Sequence, residues 1–176
     1  MNLLVILGPT ASGKTHLAVQ AARHLNGEIL SADSRQVYRG LDIGSGKDLA
    51  EYGTIPYHLI DIVDPDEDYD AARFAEDCQW AIIDIAKRGK IPLLTGGTGL
   101  YLRAVLEGIF PGVIADETLR HALRVRLHRE GSSKLHEELE VIDRKSANRI
   151  HKNDTHRLLR ALEIFYTTGQ TWSSHI

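Results

Sequence analysis

The stretch Gly8-Pro9-Thr10-Ala11-Ser12-Gly13-Lys14-Thr15 limits what this chain can become more than any other. It follows an apolar run, Leu3–Leu7, and leads into an amphipathic segment from about Lys14 to Leu25. A G-x-x-x-x-G-K-[ST] pattern between strand and helix is a phosphate loop, a nucleotide-binding and often ATP-binding device. Gly8 and Gly13 let the backbone take conformations closed to residues with a Cβ, so successive N–H groups line one concave nest. Those donors sit at a helix N-terminus, where the dipole favours an anion. Lys14 adds a point charge, and the Thr15 hydroxyl is placed to ligate a Mg²⁺ bridging the phosphates. The residues Gly8 to Thr15 are therefore expected to hold a di- or triphosphate.

The chain of 176 residues is long enough for a sizeable core, and its 43% hydrophobic and 26% charged content is that of an ordinary soluble domain. No apolar run approaches the roughly 18–20 residues of a membrane span. Leu3–Leu7 is too short for a signal-peptide core. A lone cysteine, Cys78, excludes an internal disulfide and a cysteine metal cage, and reads as a buried or half-buried helix residue. A cytoplasmic monomer with no membrane contact is expected. Net charge is −3 but uneven: residues 117–176 hold 11 Lys and Arg against 8 Asp and Glu, with six of nine histidines. That asymmetry permits a polyanionic partner on this side.

In the first two-thirds, short apolar runs alternate with helical periodicity. Strands are expected at Leu3–Leu7, Glu28–Ala32, His58–Val63 and Ile91–Thr95. Helices are expected at Lys14–Leu25, near Lys47–Tyr52, at Ala71–Lys87 and at Leu100–Glu107. Phe74, Cys78, Ala81, Ile82, Ile85 and Ala86 trace one face of the clearest of these. The alternation predicts an α/β fold, a three-layer parallel sheet with helices on both faces. After Phe110-Pro111-Gly112 only helical patterns remain. The expected organisation is a P-loop core over 1–112, a small all-helical insertion over 113–150, and a helix over 151–176 returning to the core. The last residues, Thr171 to Ile176, show no recognisable closing element.

Chemistry concentrates at strand ends, where ligands of such sheets bind. Asp33 follows the second strand within Ser31-Ala32-Asp33-Ser34-Arg35-Gln36-Val37-Tyr38. By itself it reads as a Mg²⁺ ligand, a partner of one, or a helix cap. Gly96-Gly97-Thr98-Gly99-Leu100-Tyr101 allows close backbone approach and offers the Thr98 hydroxyl. Tyr38 and Tyr101 suit packing or stacking equally. In Ile150-His151-Lys152-Asn153-Asp154-Thr155-His156-Arg157-Leu158-Leu159-Arg160, Asp154 or Asn153 suits a helix cap.

Taken in order, GPTASGKT, SADSRQVYRGLDIG, PYHLIDIVDP, IPLLTGGTGLYLRA, ADETLR and IHKNDTHRLLRALE resemble the tRNA dimethylallyltransferase (tRNA isopentenyltransferase, IPP transferase) family over nearly the whole chain. The resemblance implies a P-loop NTPase-like fold whose loop holds dimethylallyl diphosphate with Mg²⁺. The dimethylallyl group would pass to N6 of the adenine beside the anticodon of tRNA, releasing diphosphate. It also implies that Asp33 is the general base, that Lys14 and Thr98 act on the leaving group, and that Thr15 ligates the metal. The tRNA contacts it implies are Asp33, Ser34, Arg35, Gln36, Thr98, Arg120 and His156 to Arg160, the latter including Arg157, Leu158 and Leu159. Lys152 stands where the family has proline, and Gly46 interrupts its D-I-G-T-x-K-P wording. Members typically continue well beyond this length, so a C-terminally truncated chain is implied, one that alone transfers poorly or not at all. Alternatives are an adenylate isopentenyltransferase acting on free AMP, ADP or ATP, a P-loop small-molecule kinase, and a non-catalytic nucleotide-binding module.

Overall fold

The computed structural model describes residues 2–47, 49–108 and 116–175, in two compact units divided at Ile109/Phe110. The expected boundary at 112/113 and the residues Phe110-Pro111-Gly112 lie outside the described residues.

The first unit is a parallel sheet of β1 (Leu4–Leu7), β2 (Gly27–Ala32), β3 (Tyr57–His58) and β4 (Ile91–Gly96), in the order β1-β4-β2-β3. Side chains alternate across a strand, so each face gathers every second residue. Ile29 and Leu93 face α1 (Lys14–Leu25) and α2 (Leu49–Tyr52), packing with Ala18, Val19, Ala22 and Tyr52. Leu30, Ala32 and Leu94 face the other way, onto α3 (Ala71–Lys87) and α4 (Gly99–Glu107). Phe74, Cys78 and Ile85 are fully buried there, and full burial of an apolar side chain contributes about 1.5–3 kcal/mol. Burial also pushes the Cys78 thiol up to about 12, so it stays a packing group. Tyr101 stacks on Phe74 with ring centroids 4.2 Å apart and is a packing residue.

The helix boundaries have visible causes. Asn26, in the left-handed region at φ 51°, closes α1 by donating its N–H to the Ala22 carbonyl. Asp70 caps α3, its carboxylate accepting from the N–H groups of Ala72 and Arg73.

The third strand is shorter than its apolar run predicts. Leu59 and Asp61 take positive φ (65° and 55°), which ends β3 at His58. Segment 61–63 turns away and hydrogen-bonds to 36–39 instead. Asp61 N–H donates to Gln36 O, Ile62 N–H to Val37 O and Arg39 N–H to Val63 O, at 2.8–2.9 Å. The run is buried as expected, but along a second backbone seam.

The second unit is helical: α5 (Glu117–Glu130), α6 (Ser132–Ile142), α7 (Arg144–Ala147) and α8 (Thr155–Thr168), closed by a 3₁₀ turn at Trp172–His175. Leu123, Leu135, Leu139, Ala147, Ile150, Leu158, Ala161 and Leu162 form one core. Residues 113–150 and 151–176, read separately from sequence, thus share a single hydrophobic cluster within this unit. Residues after α8 are also held within this unit. Ser173 N–H donates to Asp143 Oδ2 at 2.8 Å, and Trp172 packs on the core. Burial would raise the Asp143 carboxyl, but hydrogen bonds from Ser146 and Ser173 bring it down to about 2.

Candidate active site

Strand register assembles the site. Leu7 pairs with Gly96, and Gly96 pairs with Ala32, so three adjacent parallel strands end level. The phosphate loop, the Gly97-Thr98 turn and the Asp33-Ser34 turn therefore leave the same edge of the sheet. Close approach makes glycine necessary at position 96: a Cβ there would lie 2.2 Å from the Ala32 carbonyl oxygen. The Thr98 N–H then donates to that carbonyl at 3.2 Å, binding the two turns together.

Gly8 to Thr15 wrap the end of β1. Gly13, at φ 80°, is the N-cap of α1, and Ala11 also has positive φ at 61°. Left-handed residues at these positions turn consecutive N–H groups toward one side, the geometry of an anion nest. Pro9, Thr10, Ala11, Ser12 and Gly13 are exposed, while Gly8, Lys14 and Thr15 are half-buried. Lys14 Nζ donates to the Pro9 carbonyl across the mouth of the loop, at 2.5 Å. A Cβ on Gly97 would sit 4.0 Å from Lys14 Nζ and 3.4 Å from the Gly8 carbonyl oxygen. The ammonium thus stands between the loop and the Thr98 turn.

Asp33 is half-buried at this edge. Its Oδ1 accepts from the N–H groups of Arg35, at 2.8 Å, and Gln36, at 3.4 Å, which fixes the carboxylate plane. Thr98 Oγ1 accepts the Ser34 N–H at 3.0 Å and donates its own proton to Ser34 Oγ at 3.5 Å, a long bond that a better-placed acceptor can replace. Thr98 begins α4 without capping it through its side chain, because the hydroxyl is committed to Ser34. Gln36 is engaged internally: its Oε1 accepts from Ser31 Oγ, and its Nε2 donates to the carbonyls of Ser45 and Gly46. Arg35 is exposed.

Sequence reading missed Lys47. Its side chain is 1% exposed, and its ammonium donates to Tyr38 O, Asp61 Oδ1 and Asp42 Oδ1. Burial pulls its pKa down, but Asp61 and Asp42 more than reverse this. Lys47 therefore pins the Gly-rich loop to the 61–63 seam. Its position within that loop gave no periodic signal of burial.

In the second unit, Arg120 Nε and Arg160 Nη1 both donate to Glu163, at 2.7 and 2.8 Å. Glu163 is 3% exposed, so each arginine is anchored by one of its faces and keeps about a third of its side chain in solvent. Leu158 is fully buried and Leu159 packs against the same core. His156 and Arg157 are exposed, with Arg157 paired to Asp154, the cap of α8. Arg144, Lys145, Arg149 and Lys152 are also exposed, a basic stretch that the individual motifs did not single out.

Among the described residues no group of three or more His, Cys, Asp or Glu side chains stands ready for a metal. Thr15, in the first turn of α1, carries a half-buried hydroxyl at the phosphate loop. Thr95, buried one residue before Gly96, has a hydroxyl with no hydrogen-bond partner, an unfilled polar valence at the same edge.

A parallel α/β sheet with a phosphate loop at its carboxyl edge defines a P-loop NTPase-like protein. Comparison narrows the class. The family described as IPP transferase matches residues 36–176, and that described as isopentenyl transferase matches residues 1–53. The chain belongs to the IPP transferase family. It is 49% identical to the tRNA dimethylallyltransferase of Desulfotalea psychrophila, over 97% of this chain and 55% of that protein. It is 52% identical to that of Anaeromyxobacter dehalogenans, over 93% of this chain and 55% of that protein. Among solved structures, the full-length tRNA isopentenylpyrophosphate transferase of Bacillus halodurans superposes with a TM-score of 0.63 at 46% identity, over 96% of this chain and 56% of that one. A eukaryotic dimethylallyltransferase acting on tRNA gives 0.80 at 34% identity, over 99% and 44%. The chain thus spans about half the length of the curated relatives it matches.

Proposed function

We propose that this chain carries the prenyl-transfer centre of a tRNA dimethylallyltransferase, moving a dimethylallyl group from dimethylallyl diphosphate to N6 of the adenine next to the anticodon. The observation that carries the reading is the convergence of the phosphate loop, the Asp33 turn and Thr98 on one sheet edge. An aromatic amine is a weak nucleophile that needs a base, and a diphosphate leaves only if its charge is stabilised. Asp33, with Oδ1 held by two backbone amides, has Oδ2 to take the N6 proton as the N–C bond forms. The C–O bond breaks toward the loop. There Lys14 leaves the Pro9 carbonyl for the phosphates, the loop N–H groups receive the anion, and Thr98 donates its hydroxyl proton. A Mg²⁺ on Thr15 would neutralise part of the diphosphate charge. Adenine is most easily presented unstacked from a single-stranded loop.

Ser34, Arg35, Gln36, Arg120 and the segment His156 to Arg160 are the proposed RNA contacts. For Gln36 and Leu158, whose side chains are committed inside the protein, the contribution is positional. Among the described residues no helix is long and apolar enough to cross a membrane. A cytoplasmic monomer is the proposed working form. The names of the curated relatives favour tRNA over free adenylate or a kinase substrate.

Asp33→Asn tests the reading. Its side-chain oxygen still accepts from Arg35 and Gln36, so the turn should persist and diphosphate affinity should stay within about twofold. In a form of the relatives' full length, transfer to an anticodon stem-loop should fall by about 10²–10⁴, the usual range for losing a general base. Transfer at the wild-type rate removes Asp33 from this role.

A further inference from the structure

Thr95 has no part in the centre as described so far. It pairs in register with Ile6 on one side and Ser31 on the other. Alternation puts it on the same face as Leu93, two residues earlier, and Leu93 packs against α1. Thr95 therefore stands on the α1 face of β4, one residue from its carboxyl end, and in a βα unit the helix starts at that edge of the sheet. Thr95 is 4% exposed, and its Oγ1 has no partner, whereas the hydroxyl of its neighbour Ser31 donates to Gln36 at 2.7 Å. A buried hydroxyl without a partner is costly, and valine would fill the same volume without the cost. A threonine here suits a partner that arrives with the ligand.

We propose that Thr95 is a positioning residue of the diphosphate site, its hydroxyl bonding to a water of the hydrated Mg²⁺ that accompanies the diphosphate. The inference rests on the functional reading above and adds a group acting on the metal from the α1 face of β4. Mg²⁺ gives up its waters reluctantly and commonly keeps several in protein–phosphate sites, so bound waters seeking fixed partners are expected there. No proton or electron moves in this role; the hydroxyl orients one water and through it the ion.

The test is calorimetric titration of this chain with dimethylallyl diphosphate, with Mg²⁺ and with EDTA, for wild type, Thr95→Val and Thr95→Ser. With Mg²⁺, Thr95→Val should bind about tenfold more weakly, the equivalent of one hydrogen bond, while Thr95→Ser stays within about twofold of wild type. With EDTA, all three should bind alike. Thermal unfolding of the free protein should show Thr95→Val at least as stable as wild type, which a purely structural hydroxyl would not allow. Equal affinity of wild type and Thr95→Val in Mg²⁺, or an equal loss with and without metal, overturns the proposal and leaves the prenyl-transfer reading standing. Absence of any diphosphate binding by wild type removes both together. Should Thr95→Val not fold, Thr95→Ala supplies the same comparison.

Discussion

Thr98→Val separates the two tasks assigned to one hydroxyl. The substitution keeps volume and β-branching, and so removes only the hydroxyl, which accepts the Ser34 N–H at 3.0 Å and donates to Ser34 Oγ over a long 3.5 Å. Ser34 is half-buried, so water can replace part of that bond. The stability loss should sit near the ordinary net value of about 1 kcal/mol, a fall of about 2–4 °C in Tm for a chain of this size. The effect on chemistry should be larger. A donor aimed at an oxygen that gains charge as the C–O bond breaks acts mainly in the transition state, and losing one such donor costs about 10²–10³ in rate. Dimethylallyl diphosphate affinity, a ground-state property, should change by less than about tenfold. The assay is single-turnover prenyl transfer to an anticodon stem-loop RNA by a form of the relatives' full length, run beside a diphosphate titration and a thermal melt of this chain. Ser34→Ala is the companion variant: it keeps the backbone N–H and the Thr98 hydroxyl, so its effect should fall on RNA affinity and not on the rate at saturating RNA. A Thr98→Val protein that melts as expected yet transfers normally refutes the leaving-group role. A rate loss matched by an equal loss of affinity would mean that Thr98 only binds.

Two further outcomes follow from groups outside the reacting centre. Glu28 is 1% exposed and meets Arg88, Lys90 and His58; Arg88 chiefly, against the opposing effect of burial, holds its carboxyl at about 2 instead of 4.5. Because the folded value lies below the unfolded one, this stabilisation is complete above about 4.5 and is lost as pH falls toward 2, amounting to about 3 kcal/mol. Urea midpoints between pH 5 and pH 2.5 should therefore fall less steeply in Glu28→Gln than in wild type, and parallel slopes would contradict this. Lys47→Met should destabilise by about 2–3 kcal/mol, less than a fully buried pair, since Asp61 keeps about a third of its side chain in water. Hydrogen exchange at the Ile62 and Val63 amides, which bond to Val37, should accelerate, and unchanged protection would show that Lys47 does not pin the seam.

Sequence carried the regular parts of the first unit because periodicity and punctuation agreed there. Leu3–Leu7, the loop and the helix to Leu25 gave β1 and α1, with Asn26 closing that helix. Where two backbone seams compete for one apolar run, the pattern was ambiguous. The burial of His58–Val63 was legible, but the left-handed turns at Leu59 and Asp61 were not, since leucine disfavours positive φ and a lone aspartate inside an apolar run marks a turn no more than a polar strand position. Long-range pairings of polar groups were illegible for another reason. Nothing local marks Glu163 as the buried anchor of Arg120 and Arg160, or Lys47 as a buried cation. The candidate site itself could be placed from Gly8, Asp33 and Thr98 because all three follow strands. Which atoms remain available to a ligand depended on register: Asp33 Oδ1 and one lone pair of Thr98 are in use, and the orphan hydroxyl of Thr95 is not.

The central claim is that a phosphate loop of nucleotide-binding type here serves a prenyl diphosphate. Titration of this chain, in Mg²⁺, with dimethylallyl diphosphate and separately with ATP addresses it directly. Saturable binding of the prenyl diphosphate, weakened at least tenfold by Lys14→Ala and tighter than that of ATP, is the expected result. Tight ATP binding with no response to dimethylallyl diphosphate would contradict it.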